Sequence, residues 1–156
     1  MITQEYLKSK FFYDSSTGKF KKIGSDAKVG FIDDGYIRIE IDRKTYYAHR
    51  LAWLYVYGKF PELHLDHINC DKSDNRIENL REVTRFQNLM NIGKNKNNTS
   101  GLKNVYYHKP TGKWQVRVTI SGNRSKYFGL FEDIELADLV AKEARSKYHG
   151  QFARDN

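Results

Sequence analysis

Short segments with alternating apolar and polar residues dominate the first 60 positions. The clearest is 36–41, which predicts a strand with three isoleucines on one face, Ile37, Ile39 and Ile41. A tight turn at 42–44 would lead into a return strand over 45–48. From 49 to 58 the spacing of apolar residues becomes helical, and Gly58 is a typical helix stop. This part of the chain therefore predicts a β-rich fold with one helix.

The segment from Leu63 to Asn91 predicts a compact ββα unit. Residues 63–68 alternate as a strand, with His67 and Asp66 on opposite faces. An Asp- and Asn-rich loop follows over 69–76, and an apolar return over 77–83. Thr84 is a candidate N-cap for a helix over 85–91.

The remaining chain predicts a second small domain after a polar linker at 92–100. Strands are expected at 105–108, 113–120 and 124–131, with a turn at 121–123, followed by a helix over 133–148. The apolar stripe expected on that helix consists of Leu136, Leu139, Val140, Ala144 and Tyr148. A three-stranded sheet would thus present one face to the helix and one polar face to a partner.

Composition narrows the class of protein. The chain has 156 residues, 39% of them hydrophobic, which suits one or two small domains. It carries 27 basic and 19 acidic residues, a net charge of +8, which favours a polyanionic partner. No apolar run approaches the roughly 20 residues that span a bilayer, and no signal peptide is visible. With Cys70 as its single cysteine, we expect a cytoplasmic protein without an internal disulfide or membrane partner.

The charge distribution points to the polar face of the second sheet. No acidic residue lies between Glu82 and Glu132, whereas nine basic side chains do: Arg85, Lys94, Lys96, Lys103, Lys109, Lys113, Arg117, Arg124 and Lys126. A sheet of this kind can lie in the major groove of double-stranded DNA. The alternative is an ordinary solvated sheet face. The polar face expected for the strand at 113–120 consists of Lys113, Gln115, Arg117 and Thr119.

The ββα segment carries residues suited to phosphodiester hydrolysis. Asp66 offers a carboxylate oxygen and Asn88 an amide oxygen, ligands that suit a Mg²⁺-type ion with few protein ligands. His67 carries an imidazole, a side chain that can accept a proton from water. The alternative is that the Asp-His pair is structural and the loop a solvated turn.

The order of these residues resembles the HNH nuclease family, including its phage and intron homing endonucleases. The matching positions are Asp66-His67, a central asparagine at Asn79, and Asn88 on the helix, with the upstream segment 49–53 adding to the likeness. The resemblance implies that His67 is the general base, Asp66 and Asn88 hold one Mg²⁺ or Mn²⁺ ion, and Asn79 holds the loop. Asn75 is the second candidate for the central asparagine.

Three further residues are candidates for supporting roles near that site. Arg50 is a candidate phosphate contact, although an ion pair within the scaffold would explain it equally well. His49 and His64 are candidates for contacts that support the metal ligands.

The segment from about 99 to 154 resembles the plant APETALA or ethylene-response-factor DNA-binding domain and its phage relatives. The matching residues are Ser100, Gly101, Val105, His108, Gly112–Trp114, Tyr127–Phe131, Ala137, Ala141, Ala144 and Tyr148–Gly150. This resemblance implies that the sheet binds in the major groove. The DNA contacts it implies are Lys113, Gln115, Arg117, Thr119, Arg124 and Lys126, followed by Tyr107, His108 and Lys109.

Together these observations predict an α+β protein. Residues 1–91 would form a β-rich HNH nuclease domain, 92–100 a linker, and 101–156 a sheet-plus-helix DNA-binding domain. The predicted function is site-selective cleavage of double-stranded DNA of the homing type, with no small-molecule substrate. A monomer favours nicking, and a homodimer permits double-strand cutting. The alternatives are a non-catalytic DNA-binding regulator and a structure-selective or RNA-directed nuclease.

Overall fold

A computed structural model describes residues 2–25, 27–91, 93–94, 97–122 and 124–155. These residues form two compact units, 1–84 and 85–156, each of mixed α+β composition, as predicted. The helices are α1 (Gln4–Lys10), α2 (Ala48–Tyr57), α3 (Arg85–Met90) and α4 (Ile134–His149). The strands are β1 (Phe11–Asp14), β2 (Lys19–Lys22), β3 (Phe31–Asp33), β4 (Tyr36–Ile41), β5 (Lys44–Tyr47), β6 (His64–His67), β7 (Leu80–Val83), β8 (Val105–His108), β9 (Lys113–Ser121) and β10 (Arg124–Phe131).

The first unit contains the β1–β2 hairpin, the β3–β4–β5 sheet and the β6–β7 hairpin around helix α2. The alternating segment is the central strand β4, and its residues Ile39 and Ile41 are buried, as expected. Helix α2 ends at Gly58, which adopts a φ of 77° and donates its N–H to the carbonyl of Leu54. The strand and helix predictions for 36–58 are therefore confirmed.

Helix α1 is an element that the β-rich prediction for residues 1–60 missed. Thr3 caps it by accepting a hydrogen bond from the Tyr6 N–H, and Leu7 is its one buried residue. With a single buried side chain, this short helix has no apolar period that sequence could reveal.

The ββα segment forms a hairpin followed by a short helix. Strands β6 and β7 pair antiparallel, and a 3-10 turn at Ile77–Asn79 occupies part of the expected apolar return. Helix α3 begins directly after Thr84 and is grouped with the second unit. The domain boundary at residue 91 and the linker at 92–100 remain predictions, and Ile92, Asn95 and Lys96 of that linker lie outside the described residues.

The second unit contains a three-stranded antiparallel sheet in the order β10–β9–β8, packed on α4. Asp133 caps α4 by accepting a hydrogen bond from the Glu135 N–H. Asn123 of the predicted turn between β9 and β10 lies outside the described residues. The three strands and the long helix are confirmed.

The face that α4 buries differs from the predicted stripe. Leu136 and Leu139 are 48% and 62% exposed, whereas three alanines pack against Val116 and Val118 of the sheet, Ala137, Ala141 and Ala144. Small side chains allow the helix backbone to approach the sheet closely, and the larger leucines point outward. The predicted stripe was therefore wrong at Leu136 and Leu139.

Candidate active site and nucleic-acid interface

The β6–β7 hairpin positions Asp66 and His67 as neighbours on one strand. In the hairpin register, Asp66 lies opposite Arg81 and His67 lies opposite Leu80. Adjacent strand residues point to opposite faces, and both side chains are nevertheless buried, with 7% and 5% exposure. An acid and a base are thus held next to each other in a largely desolvated part of the first unit.

Arg81 holds the carboxylate of Asp66. Its Nε and NH2 atoms donate to the same oxygen, Oδ2, at 3.0 and 2.9 Å. The two side chains are only 19% and 8% exposed, so solvent screens this ion pair weakly. This contact fixes the orientation of the proposed metal ligand.

The ring of His67 has polar and aromatic neighbours. Its Nε2 lies 3.2 Å from Oδ1 of Asn75, which is 1% exposed. The ring of His49 meets it edge-on at 5.1 Å between centroids, and the ring of Tyr36 lies at 6.1 Å. These contacts restrict the orientation of the imidazole.

Asn79 closes the loop between the two strands. Its Oδ1 accepts a hydrogen bond from the Asn69 N–H at 3.0 Å. Its Nδ2 donates to Asn69 Oδ1 at 3.0 Å and to the carbonyl of Asp74 at 2.8 Å. Asn79 therefore joins both ends of the loop, whereas Asn75 is the asparagine whose side chain contacts the His67 ring.

The predicted supporting residues differ in their surroundings. His49 is buried, and burial, followed by the nearby His67 and Arg50, lowers its pKa from 6.5 to about 3, so the ring stays neutral. Its Nδ1 has no hydrogen-bond partner among the described residues. Arg50 lies over the ring of Phe60 at 5.7 Å, and His64 is exposed.

Asn88, the other predicted metal ligand, lies on α3 in the second unit and is partly buried. Within the described ranges, no group of three or more His, Cys, Asp or Glu side chains is arranged to hold a metal ion. The predicted set is of another kind, one carboxylate and one amide oxygen. Such a set fits a hard cation that completes its coordination with water and phosphate oxygens.

The second unit presents a polar sheet face on the side opposite α4. Residues directly paired across an antiparallel sheet share a face, so the register identifies its members. Arg117 of β9 pairs with Tyr127, and Gln115 pairs with Tyr106. We call this surface the polar sheet face, and it consists of Tyr106, His108, Lys113, Gln115, Arg117, Thr119, Ser125 and Tyr127.

Two predicted DNA contacts lie on the other face. Lys126 pairs with the buried Val118, and its Nζ donates to the hydroxyl of Tyr148 on α4 at 2.9 Å. Tyr107 pairs with Trp114 and contacts its ring at 5.2 Å. A register shift in β10 and the pairing of β8 determine these sides, and DNA contacts by Lys126 and Tyr107 remain predictions.

Three other predicted DNA contacts, Lys109, Lys113 and Arg124, lie where a partner can reach them. Lys109 is exposed in the turn after β8, and Arg124 is exposed at the start of β10. Lys113 forms an ion pair with Glu132 at 3.0 Å. Tyr106 and Tyr127, which are 46% and 50% exposed, were missed because only the register shows that they join this face.

Comparison with known proteins identifies relatives of the chain. Residues 46–90 match the HNH endonuclease family. The chain is also 32% identical over 109 residues to Protein 3.8 of Escherichia phage T7, a match that covers 68% of this chain and 87% of that protein. The chain belongs to the family of this phage protein. No solved structure is significantly similar to it.

The HNH domain contains both β6 and β7 and the loop between them. Within this domain, the sequence analysis did not identify Arg81 as a partner of Asp66. The feature that could have indicated it is the position of Arg81 opposite Asp66 in the hairpin. The match ends at residue 90 and does not cover the C-terminal sheet and helix. An APETALA-type domain in that part of the chain remains a prediction. None of the described helices is both long and apolar enough to cross a membrane.

Proposed function

We propose that this protein is a site-selective, metal-dependent DNA endonuclease of the homing type, with His67 as its general base. The observation that carries the proposal is the coincidence of the HNH match with the local geometry. Residues 46–90 contain the hairpin that holds Asp66 and His67 side by side, and Asn79 closes the intervening loop. The hairpin thus contains a carboxylate that can bind a metal ion and an imidazole that can accept a proton, the two groups that metal-assisted phosphodiester hydrolysis uses.

In the proposed reaction, His67 accepts a proton from water while the water oxygen forms a bond to phosphorus. The bond from phosphorus to the 3′ oxygen breaks, and a proton from solvent completes the 3′-hydroxyl, leaving a 5′-phosphate. One Mg²⁺ or Mn²⁺ ion, when bound by Asp66 and Asn88, would supply electrostatic stabilisation to the phosphate and the leaving oxygen. Arg81 keeps the Asp66 carboxylate in a fixed orientation.

Double-stranded DNA is the proposed substrate, bound through the polar sheet face. Arg117 and Gln115 can reach base edges, and Lys113 and Lys109 can reach phosphates. The resemblance to the APETALA-type domain supports this mode of binding. A monomer would nick one strand, and a homodimer would cut both, because one ββα unit makes one cut per visit.

The test is an incubation with DNA from the neighbouring genomic region, with Mg²⁺ or with EDTA, followed by mapping of the ends. We expect 3′-hydroxyl and 5′-phosphate ends with Mg²⁺ and no cleavage with EDTA. His67→Ala should bind the DNA as the wild type does and fail to cut it. Asp66→Ala should lose the metal-dependent activity. Cleavage by His67→Ala at the wild-type rate would remove His67 from its proposed role.

Burial of His67, at 5% exposure, favours a second candidate, a non-catalytic DNA-binding regulator. A general base must reach water, and a buried imidazole can instead be a packed structural residue. If the protein is a regulator, Mg²⁺ should affect it only by screening the charges that contribute to its DNA affinity.

Comparing intact duplex, branched DNA and RNA substrates in the same assay also tests for a structure-selective or RNA-directed nuclease.

A further inference from the structure

The amide of Asn75 has a defined orientation. Its Nδ2 donates to the carbonyl oxygen of Ser73 at 3.3 Å, and a carbonyl oxygen can only accept a hydrogen bond. The atom that faces the imidazole of His67 is therefore Oδ1, at 3.2 Å from Nε2. Because Asn75 is 1% exposed, water does not compete strongly for this contact.

This orientation has a consequence for the protons of the imidazole. Since Oδ1 only accepts, the hydrogen of the contact belongs to Nε2 of His67. A neutral imidazole carries one N–H, so its other nitrogen, Nδ1, has the lone pair. We propose that Asn75 is a positioning residue that keeps His67 in the Nε2–H form and thereby makes Nδ1 the atom that takes the proton from water. This proposal rests on the proposed function of His67.

The same contact also suits the charged form of the ring. When Nδ1 takes a proton, the hydrogen bond from Nε2 to Asn75 Oδ1 is retained and becomes charge-assisted. Asn75 would therefore favour proton transfer without moving. The neighbouring ring of His49 adds no charge, because burial keeps it neutral.

The backbone of Asn75 is held by the first hairpin. The hydroxyl of Tyr13 on β1 donates to the carbonyl of Asn75 at 2.7 Å. Gly18, in the turn between β1 and β2, packs so closely that an added Cβ would lie 2.6 Å from the carbonyl carbon of Asn75. These contacts fix the position of Asn75 independently of the loop closure by Asn79.

The direct test is the nitrogen chemical shifts of the His67 ring, measured by long-range ¹H–¹⁵N correlation on the full-length protein with a neutral ring. We expect the Nε2–H form in the wild type. A wild-type ring in the Nδ1–H form would overturn the proposal without recourse to any variant.

Two variants of similar size then separate positioning from packing. Asn75→Leu removes the acceptor, and Asn75→Asp keeps an oxygen that accepts from Nε2. We expect Asn75→Leu to lose the Nε2–H preference and to lower kcat about 100-fold, with KM and metal-free DNA affinity unchanged. Asn75→Asp should keep the Nε2–H form and most of the activity. If Asn75→Leu does not fold, Asn75→Ser removes the acceptor within reach with a smaller change.

The outcomes distinguish this proposal from the proposed function. A wild-type protein that cleaves DNA, together with an Asn75→Leu variant of equal kcat, would refute the role of Asn75 alone. A wild-type ring in the Nε2–H form without any metal-dependent cleavage would refute the endonuclease function, and with it the part of Asn75 in catalysis.

Discussion

Arg81 and Asp66 face each other across the β6–β7 hairpin, and both guanidinium donors converge on one carboxylate oxygen at 3.0 and 2.9 Å. The contact is largely shielded from solvent. A carboxylate held in this way has its remaining coordination directions set by the protein. Arg81 therefore orients Asp66, the proposed metal ligand.

The first prediction concerns this partner. We expect Arg81→Met to raise the Mg²⁺ concentration needed for half-maximal cleavage about 10-fold or more, because the carboxylate loses its fixed orientation. The measurement is a Mg²⁺ titration of the cleavage rate, well below the unfolding temperature of the variant. A lower Mg²⁺ requirement would instead mean that Arg81 competes with the cation for Asp66.

A second prediction concerns the close approach between Gly18 and the loop that carries Asn75. Gly18 has a φ of +71°, and an added Cβ would lie 2.5 Å from the backbone nitrogen of Arg76. We expect Gly18→Ala to destabilise the protein by about 3 kcal/mol or more, since both strain and a clash arise. The measurement is the free energy of unfolding in urea.

Gly24 is the matched control for this substitution. It has a φ of +74°, and an added Cβ would meet nothing within 4 Å. Gly24→Ala should therefore cost only about 1 kcal/mol, from the left-handed backbone alone. Equal losses for the two variants would show that the approach to Arg76 is not the cause.

A third prediction is the pH dependence that follows from His49. Burial lowers its pKa in the folded protein to about 3, against an ordinary value of 6.5 in the unfolded chain. Between these values the unfolded chain binds a proton that the folded protein does not, so stability is lost as pH falls below 6.5. The contribution of His49 between pH 7 and pH 5 is about 2 kcal/mol.

His49→Phe tests that contribution, because it keeps an aromatic ring and removes the titration. We expect its free energy of unfolding in urea to fall less than that of the wild type between about pH 7 and pH 5. The pKa of Asp74 is lowered to about 2, chiefly by hydrogen bonds from Arg76. The stability that its carboxylate contributes should therefore be lost only at still lower pH. An unchanged slope in His49→Phe would contradict a neutral, buried His49.

A fourth prediction uses the two faces of the C-terminal sheet. Arg117 is exposed on the polar sheet face, whereas Lys126 shares a face with Val118 and bonds to Tyr148. We expect Arg117→Ala to weaken DNA binding about 10-fold and to relax base specificity, because Arg117 is the proposed contact to base edges. Lys126→Ala should have a much smaller effect. A larger loss in Lys126→Ala would place the DNA on the other side of the sheet.

Local patterns in the sequence determined most of the secondary structure and the candidate chemistry. Strand β4, helix α2 and the three strands of the second unit follow from the period of apolar residues over a few positions. The pair Asp66-His67 is likewise visible because its members are adjacent and followed by a distinctive loop. Such features depend only on residues that are close together in the chain, so the sequence is sufficient to predict them.

Only the tertiary structure decided which residues support that pair and which surfaces are presented. Asn75 contacts His67 and Tyr13 through loop geometry, and Lys126 lies on the α4 side because of a register shift in its strand. On α4, close packing selected alanines such as Ala141 over the more hydrophobic Leu139. These outcomes depend on strand pairing and on close packing between residues that are distant in the chain. The local period of apolar residues predicts neither of them.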